Sequence, residues 1–126
     1  MSLVRTGVKR VVAMLHVESV ERSADFYHQL GFVIDNTFAP PGAKVLSWAW
    51  LESGGAQIML ARASVRVNPE QQGVLFYLYV DDVVATCRKL IEAGLSPGLI
   101  EERFYVPQGE FRLTDPDGYF LVITHV

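Results

Sequence analysis

The side chains able to do chemistry in this sequence are few, and most fall on strand-like stretches. His16 lies in "RVVAMLHV" (10–17), Trp48 and Trp50 alternate in "KVLSWAWL" (44–51), and Tyr77 and Tyr79 alternate in "GVLFYLYV" (73–80). Alternate residues of a strand share a face, so each aromatic pair presents both rings to one side. Histidine titrates close to neutral pH and can act as a base there. A phenol offers a proton or a hydrogen bond, and an indole offers a flat apolar wall with one donor. These types serve acid–base catalysis on a small substrate, or the grip of a pocket on a flat organic molecule.

The remaining reactive residues have plainer expectations. His28 falls in a helical stretch and is expected to be partly buried there, whereas His125 has outward parity beside the end of the sequence and is expected to be solvated. Cys87 lies on an apolar helix stripe and reads as a small buried hydrophobe. Asp115-Pro116-Asp117-Gly118 is first of all a turn sequence. Glu101, Glu102 and Arg103 read as a charged, solvated loop.

The elements that must position these residues follow from pattern. Residues 10–17 are β-branched and apolar, a strand. Ser19 can cap a helix over 20–30, with Val20, Ala24, Tyr27 and Leu30 on one side and Gly31 at its end. "FVIDNTFA" (32–39) is a second strand, closed by Pro40-Pro41-Gly42. "KVLSWAWL" and "AQIMLARA" (56–63) make a hairpin around Ser53-Gly54-Gly55. A loop of two or four residues there puts Trp48 and Trp50 on one face with Gln57 and Met59; a three-residue loop with a bulge reverses this. Residues 64–72 are polar and contain a proline, a linker. Then come a strand over 73–80, a helix capped by Asp82 and stopped by Gly94, and a weaker strand near 98–106. "EFRLT" (110–114), the turn and "YFLVITHV" (119–126) complete the chain.

The order of elements repeats. "VESVERSADFYHQLGF" (17–32) lines up without a gap on "VDDVVATCRKLIEAGL" (80–95), and the same 63-residue offset carries Val11 to Val74, Leu15 to Leu78 and Gly55 to Gly118. Each half is one strand, one helix and three strands. Such a βαβββ unit covers one sheet face with its own helix and leaves the other open, so two copies belong together. Module one is expected over about 8–63 and module two over about 73–126, in a single domain.

With 126 residues the chain builds one core and not two. A net charge of −3 gives no electrostatic reason to expect nucleic acid or an anionic membrane. The longest apolar run, "VLFYLYV" (74–80), is strand-sized, so no membrane span is expected. The beginning of the sequence lacks the charged start and long apolar stretch of a secretory signal. One cysteine permits no internal disulfide and fits a reducing cytoplasm.

In order and spacing, "SVERSADFYHQLGF" (19–32), "WAWLESGGAQIML" (48–60), "YVDDV" (79–83) and "DPDGYFLVI" (115–123) resemble the vicinal oxygen chelate superfamily, which includes glyoxalase I, extradiol dioxygenases, and fosfomycin and bleomycin resistance proteins. The resemblance covers nearly the whole chain. It implies an α+β fold of two paired βαβββ modules curling a mixed sheet into a cup, and a homodimer. In the metal-dependent members the cup holds a divalent metal at four equivalent positions, which correspond here to Val12, Met59, Leu75 and Val122. Zinc, iron, manganese, nickel and magnesium want carboxylate, imidazole or thiolate donors. Three of these residues supply none, and the thioether of Met59 is too soft for hard cations. No metal and no cofactor is therefore expected.

Strand parity places Val12, Met14, His16, Gln57, Met59, Ala61, Leu75, Tyr77, Tyr79, Phe120, Val122 and Thr124 on the cup face. Phe111 is expected to join the lining. The expected ligand-binding set is His16, Trp48, Trp50, Gln57, Met59, Tyr77, Tyr79, Phe111 and Phe120. Aromatic walls with sparse polar handles suit a small hydrophobic or aromatic molecule, and the resemblance to drug-sequestering resistance proteins implies binding without catalysis. A metal-free lyase or isomerase, with His16 as base and Tyr79 as proton donor, is the alternative. A third possibility is a cup filled by its own side chains, with the protein acting through partners.

Overall fold

Two polar side chains start the helices. Ser19 accepts a hydrogen bond from the Arg22 amide, and Asp82 accepts one from the Ala85 amide, so each satisfies a backbone donor of a first turn. The computed structural model describes residues 7–126. Its first half runs β1 (Ala13–Val17), α1 (Val20–His28), β2 (Val33–Phe38), β3 (Trp48–Ser53) and β4 (Ala56–Arg62). After a single 3-10 turn at Pro69–Gln71 come β5 (Leu75–Val80), α2 (Val83–Glu92), β6 (Glu101–Arg103), β7 (Val106–Thr114) and β8 (Phe120–His125). Gly31 and Gly94 follow the two helices with φ of 95° and 88°, a conformation that favours glycine.

Each half forms its own mixed four-stranded sheet, in the orders β1-β4-β3-β2 and β5-β8-β7-β6. The first and last strands of each unit run parallel, while the other pairings are antiparallel. The repeat is kept in the register: Met14 pairs with Met59, and Tyr77 pairs with Val122. One face of each sheet packs under the helices, where Leu15, Val17, Leu51, Leu60, Leu113, Leu121 and Ile123 meet Val20, Tyr27, Val83 and Leu90 in one core. The opposite face of each sheet, the open face, carries the candidate site.

The hairpin resolves the orientation left open by the sequence. Ser53 pairs with Ala56 around Gly54-Gly55, so the loop has two residues, and Trp48 and Trp50 fall opposite Ala61 and Met59 on the open face.

Several expectations are corrected. β1 begins at Ala13 rather than at residue 10, and β3 at Trp48 rather than 44. Before β3 the backbone bonds elsewhere: the Ala43 amide donates to the Pro40 carbonyl, and the Leu46 amide to Glu21 Oε2 at 2.8 Å. β6 is only three residues long because a register shift interrupts it between Glu101 and Arg103, although Gly98 upstream already bonds to Arg112 of β7. β7 in turn runs back to Val106, well beyond "EFRLT".

The largest correction concerns Phe111. The five residues between Thr114 and Phe120 make Thr114 pair with Phe120 and Phe111 with Ile123. Phe111 therefore shares the helix-side face with Ile123, is 1% exposed, and belongs to the core; Arg112 takes the open face in its place.

Candidate functional site

The first sheet presents cross-strand rows on its open face. His16, Ala61, Trp48 and Phe38 form one row, and Met14, Met59, Trp50 and Asn36 the next. Gln57 follows beside Glu52. Trp48, Trp50, Gln57 and Met59 are half-buried. The Trp50 indole N–H donates to Glu52 Oε1 at 2.9 Å, which fixes the ring, and the Arg10 guanidinium lies over its face at 5.6 Å from the centroid.

The second sheet presents the matching rows. Tyr79 stands beside Thr124, Tyr77 beside Val122 and Arg112, and Leu75 beside Phe120 and Thr114. Tyr77 is 51% exposed, Tyr79 64% and Phe120 47%, and Met14 on the first sheet is 46% exposed. Side chains of this size left in water on both sheets show that the two open faces do not fill one another within the described chain. Between the halves, a hollow of about 220 Å³ separates β5, at Tyr77 and Tyr79, from Ser53, Ala56 and Phe32 of the first half.

His16 lies on the open face as expected, at the edge strand, and borders a shallow hollow of about 460 Å³ with the linker and Tyr119. Tyr79 occupies the equivalent place on the other sheet. Among the described residues the His16 imidazole has no hydrogen-bond partner; its backbone N–H and carbonyl instead meet the Tyr119 hydroxyl at 3.2 and 3.1 Å. A general base needs a group that orients its ring, and none is provided among the described residues.

The four positions that correspond to metal ligands do not fit a metal. Val12, Leu75 and Val122 are hydrocarbon, and Met59 faces Met14 and Trp50. Among the described residues, no three His, Cys, Asp or Glu side chains form a group able to hold an ion.

The residues that sequence reasoning undervalued are in the turn 115–119. Asp115 Oδ1 accepts the amides of Asp117 and Tyr119, both at 2.9 Å, and its Oδ2 accepts the Tyr27 hydroxyl at 2.7 Å. Asp117 accepts the Glu18 amide at 2.9 Å and the Ser23 hydroxyl at 3.2 Å, with Arg22 3.6 Å away. Both carboxylates are buried. The turn of the second half thus grips the helix and edge strand of the first. Burial pushes the Asp115 carboxyl above the ordinary carboxylate range, although the Tyr27 and backbone hydrogen bonds hold it down. Burial, with Asp115 beside it, drives the Tyr27 hydroxyl far upward, and burial also raises Tyr119. The available signal was Ser23 and Tyr27 on a helix face otherwise apolar: buried hydroxyls need partners.

The other reactive side chains are structural. His28 is exposed rather than partly buried, because α1 turns it outward, with Nδ1 3.1 Å from the Phe32 carbonyl. His125 is half-buried rather than solvated, and its Nε2 accepts the Gln108 amide at 3.3 Å. Cys87 is buried on the helix stripe. Arg103 and Glu101 pair at 2.7 Å on the surface. No described helix is long and apolar enough to cross a membrane.

Two mixed βαβββ sheets with their open faces lined by aromatic residues define a fold of the glyoxalase and bleomycin-resistance type. The chain belongs to the Glyoxalase/Bleomycin resistance protein/Dioxygenase superfamily, whose sequence pattern matches residues 9–123. A bleomycin-binding protein solved in complex with bleomycin is 20% identical, with 94% of this chain covering 99% of that one at a TM-score of 0.72. TnmS3, an antibiotic-binding protein from Streptomyces sp. CB03234, is 22% identical over 96% of this chain and 98% of its own, also at 0.72. TioX from Micromonospora sp. ML1 is 18% identical over 94% and 98%, at 0.74. These likenesses establish the fold. No protein of curated function matches the sequence.

Proposed function

We propose that the protein binds and sequesters a small hydrophobic or aromatic molecule between its open sheet faces, without a metal. The observation that carries this reading is the pair of faces on which Trp48, Trp50, Tyr77, Tyr79, Met14 and Phe120 stay partly exposed around a few polar groups. Large apolar side chains grouped in this way on a surface mark a binding site. Bleomycin and antibiotic binding by proteins of the same fold supports the same class of ligand. Sequestration needs no catalytic group, which accords with a His16 imidazole that no described residue orients.

A homodimer belongs to this proposal. Edge strands and open apolar faces give a second copy something to cover, and pairing converts half-exposed walls into an enclosed pocket. The cytoplasm is the compartment that a single buried thiol fits best.

A thermal-shift screen of small aromatic compounds, cross-checked by tryptophan emission, tests the proposal. A ligand at a hundred times its Kd should stabilise the protein by about 2.7 kcal/mol. Quenching should be lost, and binding altered, when Trp48 and Trp50 are both replaced by Phe. A double variant that binds every hit as the parent does would refute the site. Elemental analysis returning no stoichiometric transition metal after dialysis against a weak chelator is the matching expectation for metal independence.

A further inference from the structure

We infer that Glu110 and Thr124 form a subsite on the second open face for a protonated amine or amidine carried by a planar aromatic molecule. The inference rests on the proposed ligand site and specifies the chemistry of what enters it. Thr124 pairs with Tyr79 on one side. Continuing the register Phe111–Ile123 by one residue sets Glu110 against its other side, and Glu110 pairs in turn with Glu101. One row across the sheet thus reads Tyr79, Thr124, Glu110, Glu101.

Two atoms of this row lack partners. Glu110 Oε1 and Thr124 Oγ1 are buried and make no hydrogen bond, and Thr124 is only 3% exposed. Nearly all buried polar atoms in folded proteins are satisfied, and an orphaned carboxylate oxygen is among the most costly exceptions. The cations nearby do not serve it. Arg103 is committed to Glu101 at 2.7 Å, and Arg112 is exposed and joins no ion pair among the described residues.

The space beside Glu110 sets the size of the missing group. A hollow of about 110 Å³ lies there, walled by Leu99, Glu101, Arg103, Glu110 and Arg112. A hollow of this size has room for a small head group. A carboxylate only accepts, and a threonine hydroxyl can accept as well, so the complement is a group with several N–H donors. The aromatic body then belongs against the indoles. Arg10 already covers one face of Trp50, which leaves Trp48 as the open indole wall for that body.

The test compares two probes of similar shape and opposite charge, the naphthylmethylammonium cation and the naphthylacetate anion. Calorimetric titrations use the parent, Glu110→Gln and Thr124→Val. The parent is expected to bind the cation at least about tenfold more tightly, the worth of one charge-assisted hydrogen bond. Glu110→Gln should abolish the preference, while Thr124→Val should weaken cation binding severalfold and keep it. Without probe, Thr124→Val should melt no lower than the parent, because it removes an unsatisfied hydroxyl. Equal binding of the two probes, with indole quenching, overturns the subsite and leaves the ligand site standing, as does a preference that survives Glu110→Gln. Failure of both probes to bind overturns both. Should Glu110→Gln fail to fold, a Thr124→Val variant that binds the cation as the parent does is sufficient to overturn the subsite.

Discussion

Removing one hydroxyl from α1 should cost more stability than truncating a half-exposed side chain of the open faces. In Tyr27→Phe, Asp115 Oδ2 loses its 2.7 Å donor inside the protein, where Tyr27 is 2% and Asp115 4% exposed. A buried acceptor left without its partner costs about 1–3 kcal/mol, and more when charged, so we expect a loss of about 3 kcal/mol at pH 7. For a domain of this size that is a fall in Tm of roughly 10 °C. The pH dependence has a definite sign. The Asp115 carboxyl already titrates above its ordinary value in the folded state, and the Tyr27 hydrogen bond holds it down. Without that bond it rises further. A carboxyl raised on folding binds its proton more tightly in the native state, so its contribution is fully present below the unfolded value and is lost as pH rises through the folded one. The deficit of Tyr27→Phe should therefore shrink as pH falls from 7 towards the ordinary carboxylate range. Urea denaturation at fixed protein concentration measures it, since assembly would otherwise shift the midpoint. Asp115→Asn keeps an oxygen for the two turn amides and offers an N–H to the Tyr27 hydroxyl. In that background Tyr27→Phe should cost less, with a coupling of about 1–2 kcal/mol. A deficit under about 0.5 kcal/mol at pH 7, or one that grows as pH falls, would refute the reasoning.

Sedimentation equilibrium at micromolar concentration should return a dimer mass; a monomer mass would remove the proposed enclosure. His16→Gln should weaken ligand binding by at most about 1.5 kcal/mol, the worth of a neutral hydrogen bond. If a turnover activity is found and this substitution slows it by about a hundredfold or more, sequestration must be abandoned for acid–base catalysis. At Gly118 (φ +89°) a Cβ would lie 2.2 Å from the Pro69 Cβ, whereas a Cβ on Gly55, its partner in the repeat, meets nothing within 4 Å. Gly118→Ala should therefore cost about 2 kcal/mol or more, and Gly55→Ala should stay within about 0.5 kcal/mol of the parent in chemical denaturation.

The fold was legible because its signals are periodic and repeated. Val20, Ala24 and Tyr27, and Val83, Cys87 and Leu90, mark helix stripes that the structure buries. The two-residue turn at Gly54-Gly55 is a local signal that sets the orientation of both tryptophans. Phe111 was misplaced because the parity of β7 depends on a five-residue turn held by long-range bonds from Tyr27, Ser23 and Glu18. Nothing near Asp115 in the sequence announces those partners, which lie in the other half of the chain. Glu110 escaped notice for a related reason: a glutamate at the start of a short strand reads as solvated until the register shows what surrounds it.

The differences between the halves carry more functional information than their likeness. The parallel pairing of first and last strands is common to both halves, whereas β7 is displaced by one residue against β8 relative to β3 on β4, which turns a different set of side chains outward. Where the first half has Glu52, Gly54 and Ala56, the second has Asp115, Asp117 and Tyr119, and these latter three tie the halves together. On the open faces the divergence is chemical. Trp48 and Trp50 stand on the first sheet, at the strand position where the second has Glu110 and Arg112. A half-exposed side chain contributes little to folding, so such positions can change without losing the scaffold. Aromatic side chains on both faces, with indoles on the third strand of one sheet and charged groups at the same place on the other, are what asymmetric recognition of a single molecule requires. A ligand with a flat apolar body and a donor-bearing end would meet both walls, and a ligand with neither would gain nothing from their difference.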